Sequence, residues 1–131
     1  MFNGCTSLVN INLPNTITNI GDGAFSECQS LEKITLPNNI KTIGKNAFEY
    51  CTSLKTINIP NSVEKIGETA FKNCINIESI IIPYNTIICY RAFYGWDENQ
   101  TIYFRSGSAN STWELMWSDG CSAKKIWGYK N

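Results

Sequence analysis

The apolar positions of this 131-residue chain recur at one long interval. Leu8, Leu31, Leu54 and Ile77 form one column, and Ile11, Ile34, Ile57 and Ile80 a second. Leu13, Leu36, Ile59 and Ile82 form a third, each member 23 residues from the last. The same interval carries Cys5, Cys28, Cys51 and Cys74, then Pro14, Pro37, Pro60 and Pro83. It also carries Gly21, Gly44 and Gly67, a column that breaks at Cys89. Three units (2–24, 25–47 and 48–70) therefore share one length, and a fourth, 71–92, is one residue shorter. A period of this size marks a stacked-repeat architecture. A unit so short cannot bury its own apolar face, but stacked copies turn each column into a ladder around one core.

Inside a unit, L-x-x-I-x-L alternates apolar and polar residues and predicts a strand. Proline ends it because it offers no amide to a ladder, and the asparagine that usually follows suits a turn. A second extended piece, as in 17–20 or 63–66, runs up to the glycine. That glycine is expected to supply a positive φ, and Ala-Phe leading into the cysteine is expected to form a helical turn. Stacking would give parallel strands on two sides of a coil, rising about 4.8 Å per unit.

The run 48–67, F-E-Y-C-T-S-L-K-T-I-N-I-P-N-S-V-E-K-I-G, resembles the repeat of BspA-like leucine-rich-repeat proteins. The likeness extends over roughly the first four-fifths of the chain. It implies an α/β-type leucine-rich-repeat solenoid, β-rich with short helical turns. It further implies a surface or secreted protein of mucosa-associated bacteria or some protists, linked with adhesion to host proteins or other cells. The family has no shared catalytic residues and no ligand motif to carry over.

Past residue 92 the pattern degrades. Phe93 opens a fifth unit, Trp96 takes the cysteine position, Ile102 and Phe104 take the strand-core positions, and Arg105 replaces the proline. Residues 101–104 are expected to add one more rung, 106–110 a loop, 112–118 a short helix capped by Ser111 and Glu114, and 125–129 a closing strand. All four tryptophans (96, 113, 117 and 127) lie in 93–131. They read as an aromatic cap over the last rung rather than as a sugar platform, because terminal repeats must cover an exposed ladder edge. No covering element precedes Phe2. Either more of the array lies ahead of it or the first rung packs on a second copy, and the need for a cap at both ends favours the longer array.

Charge narrows the partners. Eleven basic and eleven acidic residues balance, and they balance again within 1–92 and within 93–131. No basic stripe stands ready for phosphates, so nucleic acid is not expected as a partner. The apolar runs, such as 80–82, are far too short to span a bilayer. Histidine is absent, which removes the commonest general base and metal ligand. No C-x-x-C pair occurs either, so no metal or cofactor is expected.

The cysteine column is expected to hold buried thiols acting as small hydrophobes. Cys89 and Cys121 stand outside it and are the one pair with a bridge open to them. Ser7, Ser30 and Ser53 recur as turn residues with no base beside them, and the carboxylates form no column. An enzyme is therefore not expected. Asn99-Gln100-Thr101 and Asn110-Ser111-Thr112 match the glycosylation acceptor, which matters only on a eukaryotic secretory route.

The outward positions of the first strand are the candidate ligand face: Asn12, Thr35, Asn58, Ile81 and Tyr103, with Lys33 and Thr56 in the adjoining row. Ile81 and Tyr103 set apolar groups side by side there. The expected role is protein interaction or adhesion, with a host or matrix protein or a glycan as partner. The alternative is a structural spacer with no ligand of its own.

Overall fold

Alternation in the first segment of each unit produces β1 (Asn10–Asn12), β3 (Lys33–Thr35), β6 (Ser79–Ile82) and β8 (Thr101–Phe104). The second segment gives β2 (Asn19–Ile20), β4 (Thr42–Ile43), β5 (Lys65–Ile66) and β7 (Ile87–Ile88), and β9 (Lys124–Trp127) closes the chain. The computed structural model describes residues 2–108 and 117–130, and winds these strands into a parallel solenoid of about five turns. Every pairing is parallel and sets like on like: Ile11 beside Ile34, Ile20 beside Ile43, Ile80 beside Ile102.

The two sides of the coil differ. On the second-segment side the ladder is unbroken, in the order β2-β4-β5-β7. On the first-segment side it falls into β1-β3 and β6-β8-β9. Thr56 makes a single bridge to Lys33, and no ladder joins 55–59 to β6. The face predicted as one sheet is two half-sheets with a seam between them.

The core is the columns themselves. Leu31, Ile43, Leu54, Ile66, Ile77 and Ile82 are fully enclosed. Phe2, Phe25, Phe48 and Phe71 stack face to face at 5.4 Å between ring centres, and Phe71 to Phe93 widens to 5.8 Å.

The expected helical turns do not form; the described residues contain no helix. Two left-handed residues per rung prevent it, at Gly23 and Glu27, then Asn46 and Tyr50, then Thr69 and Asn73. Between them alternate amides leave their own rung: Gly23, Phe25 and Glu27 donate to the carbonyls of Lys45, Ala47 and Glu49. A helix needs those amides for its own ladder. The turns are thus a third line of rung-to-rung bonding.

The glycine column is also not what the pattern predicts. Gly21, Gly44 and Gly67 have no positive φ. Their role is closeness: a Cβ on Gly67 would lie 2.7 Å from both Gly44 C and Lys45 N. Cys89, the exception in this column, sits where the stack is wider. Its amide bond to Ile66 O is 3.0 Å, against 2.8 Å for Gly67 to Ile43 O.

The cysteine column is buried from Cys28 to Cys74, and no disulfide forms, including between Cys89 and Cys121. The thiols do more than fill space. Cys28, Cys51 and Cys74 donate to the carbonyls of Phe2, Phe25 and Phe48 at 3.0–3.1 Å. Trp96 continues the series, its indole N–H 2.8 Å from Phe71 O. Desolvation pushes the Cys51 thiol up to about 12, and Cys74 rises well above its ordinary value for the same reason.

At the carboxyl end Trp127 stacks on Phe104 at 4.1 Å, and Trp117 meets both edge-on. Trp96 is 1% exposed against Phe93. These rings cover the last rung as an aromatic cap does. The helix expected over 112–118, with Ser111, Trp113 and Glu114, lies mainly outside the described residues; Trp117 and Ser118 sit in a turn.

Candidate strand-face site

The first-strand face carries every position singled out from the sequence. Asn10 lies beside Lys33, Asn12 beside Thr35, Lys33 beside Thr56, and Ile81 beside Tyr103. Asn12, Lys33, Thr35, Thr56 and Asn58 are exposed, whereas Ile81 and Tyr103 are half-buried. Tyr103 packs on Tyr129 at 4.6 Å. The seam divides this set, with Asn58 on one side and Ile81 on the other.

A cleft of about 190 Å³ lies at the seam, lined by Asn38, Asn58, Asn61, Ile81, Pro83 and Arg105 among others. It shares Asn61, Pro83 and Arg105 with an adjoining cleft of about 470 Å³ that adds Tyr84 and Asn85. Arg105 alone among these lining residues carries a charge. Its backbone amide, which a proline would lack, bonds Ile82 O at 3.1 Å, and its guanidinium lies 5.9 Å from the Tyr129 ring centre. It makes no ion pair among the described residues. Tyr84 is 60% exposed.

Of the residues lining these clefts, the sequence singled out Asn58 and Ile81 as candidates and did not single out Arg105, Tyr84 or Asn61. The available signal was departure from the columns: Arg105 follows four prolines, and Tyr84 stands where Asn15, Asn38 and Asn61 precede it.

The turn side carries a second cluster of charge and aromatic rings, but its groups answer one another. Lys72 lies between the Tyr50 and Tyr94 rings at 5.5 and 5.6 Å and pairs with Glu49 at 3.4 Å. Arg91 packs against Tyr90 and Tyr94 and bonds Asp119 at 2.6 Å; that hydrogen bond raises its already high pKa. The other ion pairs, Lys41–Glu64, Lys45–Glu68 and Lys55–Glu32, likewise join adjacent rungs. Among the described residues no group of three His, Cys, Asp or Glu is placed to hold a metal ion, and no helix is long and apolar enough to cross a membrane.

A further groove, of about 310 Å³, is lined by Phe2, Ile11, Leu13, Ile17 and Phe25. It is the face of the core at the first rung, where Cys5 and Leu8 are also only half-buried.

Parallel strands in register, stacked phenylalanines and inward-turned leucine, isoleucine and cysteine columns define a leucine-rich-repeat solenoid. The chain belongs to the BspA-type leucine-rich-repeat family, whose model matches six copies over residues 1–109. Among solved structures it is similar to the leucine-rich-repeat protein TpLRR of T. pallidum, at 28% identity and a TM-score of 0.81, covering 98% of this chain and 60% of that one. It is also similar to a leucine-rich-repeat protein from Bacteroides ovatus, at 27% identity and 0.74, covering 95% and 33%. A leucine-rich cell surface protein from Faecalibacterium prausnitzii shares the fold at 22% identity and 0.69, covering 93% and 32%. The chain thus spans between a third and three-fifths of the length of these structures. No curated protein matches it.

Proposed function

We propose that the chain is a non-enzymatic protein-interaction module of a surface or secreted protein, and that it engages its partner through the first-strand face. The observation that carries this reading is the contrast between the two sets of positions. Core columns repeat nearly unchanged, while the outward row runs Asn12, Thr35, Asn58, Ile81 and Tyr103 beside a cleft. Packing does not dictate the exposed Asn12, Thr35 and Asn58 and only partly constrains the half-buried Ile81 and Tyr103, so the variety of the row is free to serve recognition. Surface location and adhesion are part of this proposal, and membership of the BspA-type leucine-rich-repeat family supports them.

Five rungs present a narrow face, below the ~800 Å² per partner of a standard interface. Binding by this chain alone is therefore weak, and joining it to further modules strengthens attachment through effective concentration. The test is binding of the chain to immobilised matrix protein and to cells, before and after the triple replacement Asn58→Ala, Ile81→Ser and Tyr103→Ala. A large loss, with the melting curve retained, supports the reading. Unchanged binding assigns the repeats to a structural spacer, and binding retained by a variant altered at Tyr50 and Lys72 excludes the turn side.

A further inference from the structure

We infer that the cleft at the seam is a carboxylate-binding site, and that it receives an acidic side chain from an extended segment of the partner protein. The inference rests on the strand-face reading above and names the chemistry of that face. Independent observations converge on it.

Arg105 is the sole charge in the lining of the two joined clefts and has no carboxylate partner among the described residues. Its guanidinium lies 5.9 Å from the Tyr129 ring centre, and it offers a planar fork suited to two-point contact with a carboxylate. The side-chain amides of Asn38, Asn58, Asn61 and Asn85 make no hydrogen bond among the described residues, so donors and acceptors surround the cation uncommitted. Tyr84 adds an exposed ring beside Pro83, and tyrosine with adaptable asparagine is the composition of a protein-recognition surface.

The repeat itself gives Arg105 no structural reason to be there. Proline serves at the corresponding place in four rungs, and the backbone bond to Ile82 O is available to any residue with an amide. The seam adds the last element. The cleft lies where no ladder joins 55–59 to β6, with Asn58 on one side and Ile81 on the other.

The test uses three probes against the isotope-labelled chain, read by amide chemical shifts. One is an acetylated, amidated octapeptide alternating aspartate with threonine. The second has asparagine in place of each aspartate, and the third is a short oligogalacturonate. The acidic peptide is expected to shift the amides of Asn61, Tyr84 and Arg105, to bind at least tenfold more weakly in Arg105→Gln, and to weaken as salt rises. Equal binding of the asparagine peptide, or no loss in Arg105→Gln, overturns the inference. Tighter binding of the oligogalacturonate also overturns it, in favour of an acidic sugar.

Arg105→Lys supplies a second reading if Arg105→Gln melts early: it keeps the charge without the fork, and undiminished affinity in it refutes the two-point contact. Loss of matrix-protein binding in the triple variant alongside failure of the acidic peptide rejects this inference alone. Failure of both removes the face as a binding site.

Discussion

The glycine column offers a test in which one substitution, made at equivalent positions, has opposite results. Gly21 and Gly67 occupy the same place in their rungs, and neither has a positive φ, so alanine is conformationally allowed at both. A Cβ at Gly21 meets nothing within 4 Å. At Gly67 it meets Gly44 C and Lys45 N at 2.7 Å and Gly44 O at 3.0 Å. These are backbone atoms, so no side chain can swing aside. Restoring ordinary contact means parting the rungs by about 0.7 Å, a strain of about 1–3 kcal/mol for forced overpacking. The same displacement stretches the 2.8 Å bond from Gly67 N to Ile43 O beyond useful length, at a cost of about 1 kcal/mol.

Against this, alanine restricts the unfolded chain and contributes about 0.4–1 kcal/mol in both variants. Gly21→Ala is therefore expected to be neutral or slightly stabilising, and Gly67→Ala to lose about 1–3 kcal/mol. The alanine term is common to both, so the variants differ by about 2–4 kcal/mol, and at about 3–5 °C per kcal/mol for a domain of this size the two melting temperatures should separate by about 6–20 °C. The assay is urea and thermal unfolding by circular dichroism, with hydrogen exchange at Gly67 to confirm where the ladder loosens. Equal melting of the two variants would refute the account of the column as a spacing device.

Cys51 should resist alkylation in the native chain at pH 8, because burial holds its thiol at about 12; intact mass after brief alkylation reads this. That raised value contributes stability below the unfolded thiol value near 9.0, and the contribution is lost as pH climbs from there towards about 12, so urea midpoints should fall across pH 9–11. Trp96→Phe keeps a buried ring but leaves Phe71 O without its side-chain donor, and should cost about 1–2 kcal/mol by urea unfolding. Glu64→Gln should change stability by less than about 0.5 kcal/mol, since both partners of the Lys41 pair are more than half exposed. Trp127→Ala uncovers Phe104 and should speed hydrogen exchange in β8 and β9 while leaving β4 and β5 protected.

Register was legible because it is a property of columns. A fixed offset places Ile34 on Ile11 and Ile102 on Ile80 without knowledge of the turns, and the rung at Thr101–Phe104 was readable despite the loss of its proline. The turns were not legible, because their left-handed positions change residue type from rung to rung: Gly23 becomes Asn46, then Thr69, then Arg91. No single-residue preference marks them, and rung-to-rung amides hold them in place. The ion pairs were readable in principle. Glu32 and Lys55, or Lys41 and Glu64, sit one repeat apart, a relation hidden when carboxylates are examined only against each other. The cleft was legible in part, through Asn58 and Ile81. Arg105 was noticed only as a lapse in the proline column, and the seam that gives the lapse meaning is visible only in three dimensions.

The recognition proposed for this array resides where its columns fail. A solenoid holds itself together by repeating itself, so a position that departs from its column has lost the packing reason for its identity. In this chain the departures gather between Pro83 and Arg105. The fourth unit loses its residue between Pro83 and Ile87, Tyr84 replaces asparagine, Cys89 replaces glycine, and Arg105 replaces proline. The same stretch has the wider phenylalanine spacing, 5.8 Å, and borders the broken ladder. Cys89 is accommodated by that spacing, but Tyr84 and Arg105 face the cleft and satisfy no neighbour that the other rungs leave wanting. Irregularity inside a core costs stability, whereas irregularity turned outward beside a cleft costs little and creates a surface unlike any other on the array. The rungs below supply a uniform support, and under the proposed function the place where uniformity fails is the place that distinguishes one partner from another.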